Sequence, residues 1–503
     1  MLNAPQLRNY QLQTIQAVYS KLRTGTKKVL IVAPTGSGKT IMAAKIISDL
    51  VNAGQRMLFL VHLDVLVGQT YDKFKSFGLQ CGFIKAGWEE NRDAQIQIGS
   101  IQTLPRRSWW QEFKPDVIIW DEAHVTTWSR IACKIMTEFP NTIHLGLTAT
   151  PWRLSKREGM GNKFDELVCA PMPGQLMEMG FLVKPCYYGI AGPDLKNVRS
   201  KAGDYLESDL ALVCNTEEVV AHIVKEWFRL CQGRRTIAFA VNIAHSQHIA
   251  DAFNAAGVPA EHIDGTMSSQ QRAKIYGRLA RGETLVVSSC NALSEGFDVP
   301  AVSALLLCRP TKSRSLAFQQ LGRGLRIDPN SKKTDCLVLD QAENITRFGF
   351  VEDIKAIRLT YSKSDEPGEV PTKVCPSCSR IVHLSVMVCP DCGYKFPSKE
   401  KVSVTKKLER LLSAEDKAKF KFYRKKLLQG YQKKYAPGWA AVIFKEKYGY
   451  YPPDDWRRGA IFGEQPTSQN LADYRNYLEV VAKRKELPAE WIERQFVQEF
   501  GCQ

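Results

Sequence analysis

The chain has 503 residues, 44% of them hydrophobic and 24% charged, an ordinary composition for a protein that folds around cores. At roughly 150 residues per domain the length suggests about three domains. No run of roughly 20 apolar residues could span a bilayer, and the opening MLNAPQLRNYQLQ lacks the apolar centre of a signal peptide, so the expectation is a cytoplasmic protein with no membrane partner. The formal charge of +17 suits a polyanionic partner, because cations set on phosphates release condensed counterions, although many basic proteins merely have solvated surfaces.

Short apolar runs open the chain: VLIVA (Val29 to Ala33), MLFLV (Met57 to Val61), DVIIW (Asp116 to Trp120) and HLGLT (His144 to Thr148). A helical stretch from Thr40 to Val51 separates the first two. Continuous apolar strands alternating with helices predict a parallel sheet covered on both faces. The pattern weakens between Pro171 and Leu212, then resumes with TIAFA (Thr236 to Ala240), TLVVSS (Thr284 to Ser289), ALLLC (Ala304 to Cys308) and CLVLD (Cys336 to Asp340). Two α/β domains in tandem are therefore expected. SKSDEPGEVPTK (Ser362 to Lys373) reads as a linker, a compact cysteine segment follows it, and beyond Ser398 the chain turns helical and strongly basic.

APTGSGKT (Ala33 to Thr40) falls directly after a strand and before a helix. Gly36 and Gly38 let the backbone N–H groups of Thr35 to Lys39 turn inward around phosphate oxygens, with Ser37 at the turn. Lys39 can reach the outer phosphates, Thr40 can ligate magnesium, and the next helix aims its positive end at the same anion. Asp121-Glu122-Ala123-His124 ends the strand DVIIW, which places two carboxylates at the carboxyl edge of a parallel sheet. There Asp121 suits a magnesium ion (Mg2+), and Glu122 suits the water that attacks ATP. A chance glycine turn and a solvated acidic turn are the bland readings of these two segments, and their joint placement argues against both.

At this point the sequence resembles superfamily-2 helicases of the DEAD/DEAH-box type, in motif order over roughly its first 340 residues. Leu7 to Gln11 is similar to the Q-type motif, which implies that Arg8 and Gln11 serve the nucleotide and that Gln11 reads the adenine edge. APTGSGKT is similar to motif I, where alanine is common at the position of Ala33. VHLDVLVGQ (Val61 to Gln69) and SIQTL (Ser100 to Leu104) resemble segments that contact nucleic acid. DEAH resembles motif II and Thr148-Ala149-Thr150 motif III, which implies that His124, Thr148 and Thr150 couple the ATP state to the grip on nucleic acid. FAVNIAHSQHIADAF (Phe239 to Phe253) resembles motif IV, and HIDGTMSSQQR (His262 to Arg272) the segment after it. ALSEGFDVP (Ala292 to Pro300) resembles motif V, with Gly296 and Asp298 expected at the nucleotide. QQLGRGLR (Gln319 to Arg326) resembles motif VI: Gln319 joins the coupling set, and Arg323 and Arg326 are implied to reach the γ-phosphate across the cleft. Within the superfamily the chain looks most like RadD-type bacterial DNA-repair proteins and their phage relatives. The residues that carry this are TATPWRL (Thr148 to Leu154), GFDVP, the cysteine segment and APGWAAVIFKEKYGYYP (Ala436 to Pro452).

Cys375-Pro-Ser-Cys378 and Cys389-Pro-Asp-Cys392 form two CxxC knuckles separated by 10 residues, fewer than the roughly 15–20 of the commonest zinc pattern. A short hairpin can still bring four thiolates together as a closed structural zinc (Zn2+) site. Disulfides and a redox CxxC fit a reducing compartment poorly. His383, between the knuckles, is spaced no better for a metal than any loop histidine. Arg380, Lys395 and Lys399 suit DNA contact, or the ribbon serves only as a docking platform. Of the 14 cysteines, Cys81, Cys133, Cys169 and Cys186 read as buried small hydrophobes.

Lys417, Lys419, Lys421, Arg424, Lys425, Lys426, Lys433 and Lys434 are interleaved with Phe420, Phe422, Tyr423 and Tyr431. Such a segment can hold phosphates and stack on bases, or it is an amphipathic helix with its rings in a core. Trp439, Phe444, Tyr448 and Trp456 read as a small helical core, and Trp109, Trp110 and Trp152 as packing residues. The expected layout is a RecA-like ATP-binding domain over 1–185, a second RecA-like domain over 186–362, linker and zinc ribbon over 363–400, and a basic helical domain over 401–503. The expected activity is magnesium-dependent ATP hydrolysis that drives movement on, or remodelling of, single-stranded, duplex or forked DNA in recombination, repair or phage replication. Single-strand-binding or recombination proteins are the expected protein partners. An RNA helicase, an ATP-switched binding factor that does not unwind, and the motor subunit of a restriction complex remain open alternatives.

Overall fold

The structure is a computed structural model that describes residues 7–62, 64–84, 88, 90–107, 109–153, 158–290, 299–331, 333–361, 371–397, 414–457, 459–462 and 466–500. Chain contacts separate two compact units, 1–396 and 397–503. No described helix is long and apolar enough to cross a membrane.

The first unit holds two parallel sheets. Strands β1 (Lys28–Val32), β2 (Met57–Val61), β3 (Cys81–Ile84), β4 (Ile96–Ser100), β5 (Val117–Trp120), β6 (Ile143–Thr148) and β7 (Glu166–Cys169) build the first, in the order β3-β4-β2-β5-β6-β1-β7. Strand β8 (Lys184–Gly189) belongs to the second sheet and runs through residues 185 and 186. After a two-stranded hairpin of β9 (Ser200–Lys201) and β10 (Asp204–Tyr205), that sheet is completed by β11 (Thr236–Phe239), β12 (Ala260–Ile263), β13 (Val286–Ser289), β14 (Ala304–Leu307) and β15 (Asp335–Asp340), in the order β12-β13-β11-β14-β15-β8. The chain has the expected architecture of two RecA-like α/β domains, with helices on the sheets, a cysteine ribbon and a helical C-terminal unit.

The apolar runs of the sequence became central strands because both faces of a parallel sheet are dry. All five residues of β2 and all four of β5 are buried. Five strands carry no such run: CGFI, IQIGS, ELVC, KPCYYG and AEHI are short and mixed, with Gly, Gln, Pro, Glu or His among their residues. The polar members need local partners. Gln97 in β4 is fully buried and donates to the carbonyls of Asn91 at 2.7 Å and Ala94 at 3.1 Å.

After β15 the chain leaves the second sheet. Val351 and Ile354 line a crevice between the two domains with Thr35 and Trp152, and Ile357 and Leu359 pack on the first domain's core. The Thr360 carbonyl accepts from Gly161 N at 2.9 Å. Residues 349–361 thus form a strap across both domains, and 362–370, part of the expected linker, lie outside the described residues. Thr372 and Lys373, also expected in the linker, instead open β16 (Thr372–Val374), which pairs antiparallel with β17 (Ile381–His383) in the ribbon hairpin.

The ribbon seals an edge. β8 ends the second sheet, and the ribbon lays an antiparallel bridge on it between Tyr188 and Arg380. Gly189 N donates to Ser379 O at 2.8 Å, and the Tyr188 hydroxyl donates to Asp391 at 2.7 Å. An open strand edge exposes unsatisfied N–H and C=O groups, so this cover removes a liability. It also engages Arg380, which lies 3.6 Å from Asp391 and stacks over Tyr188.

The second unit contains helices Ala414–Gln432, Gly438–Tyr448, Ser468–Lys485 and Ala489–Phe500. Phe420, Tyr423 and Leu427 fall on one face of the first helix and meet Ala440, Phe444 and Trp456 in a core. The packing reading therefore holds for Phe420 and Tyr423, and Trp439 and Tyr448 flank that core. Trp109 and Trp110 are buried in the first domain.

The cysteine reading needs correction. Cys81 is buried, but Cys133 and Cys169 are exposed and Cys186 is half-buried. Cys133 sits on the outer side of the helix Arg130–Glu138, whose buried positions are Ala132, Ile135 and Met136. Cys169 ends the edge strand β7 on its outward side.

Candidate nucleotide site at the facing domain edges

Parallel register brings the ends of β1, β6 and β5 side by side: Val32 pairs with Thr148, and Gly146 with Trp120. The phosphate-type loop, Thr148–Thr150 and Asp121–Glu122 leave those three ends, so one sheet edge gathers them. The loop turns through left-handed Gly36 (φ +87°) and Gly38 (φ +84°). At Gly38 a Cβ would fall 2.3 Å from Gln11 Nε2, so a side chain there has neither the space nor the backbone conformation.

The loop is braced from behind. The Ser37 carbonyl accepts from the Tyr10 hydroxyl at 2.7 Å and from Gln11 Nε2 at 2.9 Å, while Gln11 Oε1 accepts from Arg8 N at 2.9 Å. Gln11 thus steadies the phosphate loop, a task that its expected contact with adenine does not include. The Arg8 guanidinium lies 4.2 Å above the Phe181 ring.

Lys39 bridges the carboxylates. Its Nζ is hydrogen-bonded to Glu122 and lies 3.7 Å from Asp121 Oδ1. Burial alone would push the Lys39 ammonium down, but Glu122 and Asp121 outweigh it and hold the pKa above the ordinary value. Burial pushes Asp121 up, against Lys39. Glu122 is also raised by burial, yet Lys39, His124 and Arg323 bring it below the usual range. Two carboxylates packed this closely need a cation between them, and Lys39 now supplies it. A phosphate on the loop would draw the ammonium away and leave a seat for a divalent ion. Ser37 Oγ is buried with no hydrogen-bond partner among the described residues. The donor set therefore fits a magnesium nucleotide.

From Glu122 a polar chain runs to the second domain. Glu122 Oε2 lies 3.4 Å from His124 Nδ1, which is 2.9 Å from Thr148 Oγ1. Thr148 Oγ1 accepts from Thr150 N at 3.1 Å, and Gln319 Nε2 reaches Thr150 Oγ1 at 3.4 Å. Burial pushes His124 down to about 4, so the ring is neutral at physiological pH and shares its hydrogen bond as an uncharged partner.

The domains touch closely here. A Cβ on Gly322 would lie 2.4 Å from Thr35 Cβ, and one on Gly36 would lie 3.6 Å from Arg326 Cγ. Ser315 Oγ donates to Trp152 O at 2.7 Å, and Trp152 packs edge-on against Phe318. Arg323 is close enough to act electrostatically on Lys39 and Glu122. Thr40 lies in the first turn of the helix Lys39–Asn52 at the same loop. Gly296 and Asp298 lie outside the described residues.

Three contributors escaped the sequence reading. Arg153 Nη1 donates to the His124 carbonyl at 2.5 Å and stacks over Trp128 at 4.0 Å; its only signal was its place after TATP. Tyr10 sat inside a recognised motif but was not singled out. Phe181 comes from the patternless stretch after Pro171 and had no local signal.

The four cysteines form a separate cluster. Their sulfurs all lie within 4.8 Å of one another. The Cys375–Cys392 and Cys378–Cys389 sulfur pairs stand at 3.6 Å, too far for the roughly 2 Å of a disulfide bond. Each knuckle turns at a left-handed residue, Ser379 (φ +67°) and Gly393 (φ +72°). The geometry suits a closed tetrahedral zinc site. His383 stays out of it and lies 3.3 Å from Asp353.

Comparisons with known proteins bear on this geometry. The family described as "Type III restriction enzyme, res subunit" matches residues 4–153, and "Helicase conserved C-terminal domain" matches residues 218–328. The chain is a superfamily-2 helicase. Its motor is that of an ATP-dependent enzyme, an ATPase. A 51.5 kDa protein of a Lactococcus phage is 28% identical over 86% of this chain and 94% of its own length. IRC3 of Saccharomyces cerevisiae, assigned as an ATP-dependent helicase, is 29% identical over 67% of this chain, which spans 52% of it. Among solved structures, a fragment assigned as the HsdR subunit of a type I restriction enzyme from Vibrio vulnificus shares the fold, with a TM-score of 0.54 and 23% identity over 68% of this helicase and 65% of that chain.

Proposed function

We propose that this helicase is a DNA motor that couples magnesium-dependent ATP hydrolysis to movement on, or remodelling of, DNA. The observation that carries the reading is the approach of Gly322 to Thr35 beside the half-buried Lys39–Asp121–Glu122 group, with Arg323 of one domain close enough to act on Glu122 of the other. A phosphoryl group in flight spreads negative charge, and a cation delivered from the second domain ties turnover to cleft closure. Lys39 and the loop N–H groups of Thr35 to Thr40 bind phosphate, Thr40 and Asp121 hold the magnesium, and Glu122 takes the proton of the attacking water. Arg326 assists Arg323. Gln11 still has one N–H and one lone pair to offer an adenine edge. His124, Thr148, Thr150 and Gln319 carry the closed state between domains. The basic charge suits a nucleic-acid partner, and the resemblance to RadD-type proteins favours DNA over RNA and a role in repair, recombination or phage replication, with single-strand-binding or recombination proteins as partners.

The test is ATP turnover with single-stranded, duplex or forked DNA, or RNA, and Glu122→Gln as control. Stimulation by DNA alone, lost in the variant, supports the proposal; stimulation by RNA alone overturns the substrate and keeps the motor. A second reading, a motor subunit of a restriction complex, is favoured by the match over residues 4–153. It predicts DNA cleavage only when a nuclease partner is added.

A further inference from the structure

The C-terminal unit sorts its rings into two sets. Phe420, Tyr423, Phe444, Trp456 and Tyr474 are buried, whereas the adjacent Tyr450 and Tyr451 are 45% and 58% exposed. They follow the helix Gly438–Tyr448 through left-handed Gly449 (φ +84°). Pro452 comes next and confines Tyr451 to extended backbone, which limits the freedom of the pair.

Lysines crowd these rings. Lys445 Nζ lies 4.5 Å from the Tyr451 centroid, and Lys419 Nζ lies 5.7 Å from that of Tyr450 and 5.8 Å from that of Tyr448. Lys447 Nζ lies 4.1 Å from the Phe422 centroid. Between Lys417 and Lys447 the chain carries ten Lys or Arg residues and one acidic residue, Glu446. Flat rings with ammonium groups beside them match a partner with flat apolar faces and negative charge at close intervals.

We infer that this face binds single-stranded nucleic acid, with bases stacked on Tyr450 and Tyr451 and phosphates on Lys419, Lys445 and Lys447. A duplex hides its base faces and could use only the lysines; an acidic peptide would leave the tyrosines unused. This grip belongs to the second unit and does not depend on the motor's proposed substrate.

The experiment uses the full chain. Iodouracil-substituted single strands are photo-crosslinked to it and the attachment sites mapped, and affinities for oligothymidylate, oligouridylate and duplex DNA are measured by anisotropy. Crosslinks should fall on Tyr450 or Tyr451. The Tyr450→Ala/Tyr451→Ala variant should bind single strands about tenfold or more weakly, as stacking contributes about 1–3 kcal/mol per base, and duplex nearly as before. Tyr450→Phe/Tyr451→Phe should restore most of the affinity, since rings rather than hydroxyls carry it. The two oligonucleotides separate DNA from RNA as the source of the bases. Unchanged affinity with no crosslink, an equal loss on duplex, or failure of the phenylalanine variant would overturn the proposal. ATP turnover that ignores DNA while the crosslink persists would sink the motor reading alone.

Discussion

At the carboxyl edge of the first sheet, Lys39, Asp121 and Glu122 are packed together as charges with no apolar cover between them. At the same edge of the second sheet, His262 lies 2.7 Å from Ser246 Oγ and 2.9 Å from Asp264, and Ser246 shares a hydrogen bond of 2.9 Å with Ser288. Asp264 also accepts from Thr266 N and Oγ1, at 2.7 and 2.6 Å. The second cluster satisfies itself and holds strand ends together. The first sets one ammonium against two carboxylates, a group that the proposed magnesium nucleotide would rearrange. Two domains of one architecture thus differ in the chemistry at their edges, and in the proposed mechanism the second serves the first by presenting Arg323 from the segment that follows helix Arg314–Gly322.

The largest expected effect sharpens this asymmetry. Glu122→Gln should lower kcat by about 10²–10⁴-fold, the usual loss for a general base, while fluorescent-nucleotide binding persists. Turnover above a tenth of the parent would break the comparison. Arg323→Ala removes the cation from the second domain and should cost about 10²–10³-fold in kcat with little change in nucleotide Kd. A loss confined to Kd would make Arg323 a binding residue instead.

Gly322→Ala asks whether closeness itself matters. The added methyl would stand 2.4 Å from Thr35 Cβ, so the cleft must part. Turnover should fall about tenfold, because small misplacements are costly in catalysis, and the melting temperature should barely move. Cys389→Ser tests the ribbon: bound zinc should be lost and the first unit should melt roughly 5 °C lower as β8 loses its cover. An unchanged melting curve would reduce the ribbon to an independent appendage.

The smallest effect belongs to the C-terminal unit. Burial pushes Glu499 up to about 7, while its Oε1 accepts from Ile461 N at 2.9 Å. The folded state then holds this proton more tightly than the unfolded chain. Stability contributed by the protonated form is complete below about 4.5 and falls as pH rises to about 7, at no more than about 1.4 kcal/mol per pH unit. Glu499→Gln should flatten that slope in denaturant titrations between those pH values; an unaltered slope would place the titration elsewhere.

Much of the site was legible because its signals are local. A strand followed by GSGKT and a helix, or by DEAH, places its own residues at a sheet edge through chain geometry alone. The cysteine knuckles were legible for the same reason. The five mixed strands were not: β4 is a strand because its neighbours hydrogen-bond to it and Gln97 finds carbonyls from its own flanking loop.

What the sequence determined by itself was therefore the central strands, their order and the chemical types at the ends that carry the site, since propensity and apolar periodicity act over a few residues. Tertiary structure decided which faces meet. It brought Gly322 to Thr35, set Phe181 under Arg8 and Arg153 against His124, laid the ribbon on β8, and left Tyr450 and Tyr451 outside a core that took Phe420 and Tyr423 in. Those outcomes depend on contacts between segments far apart in the chain, where burial and shape, rather than local spacing, set the free energy.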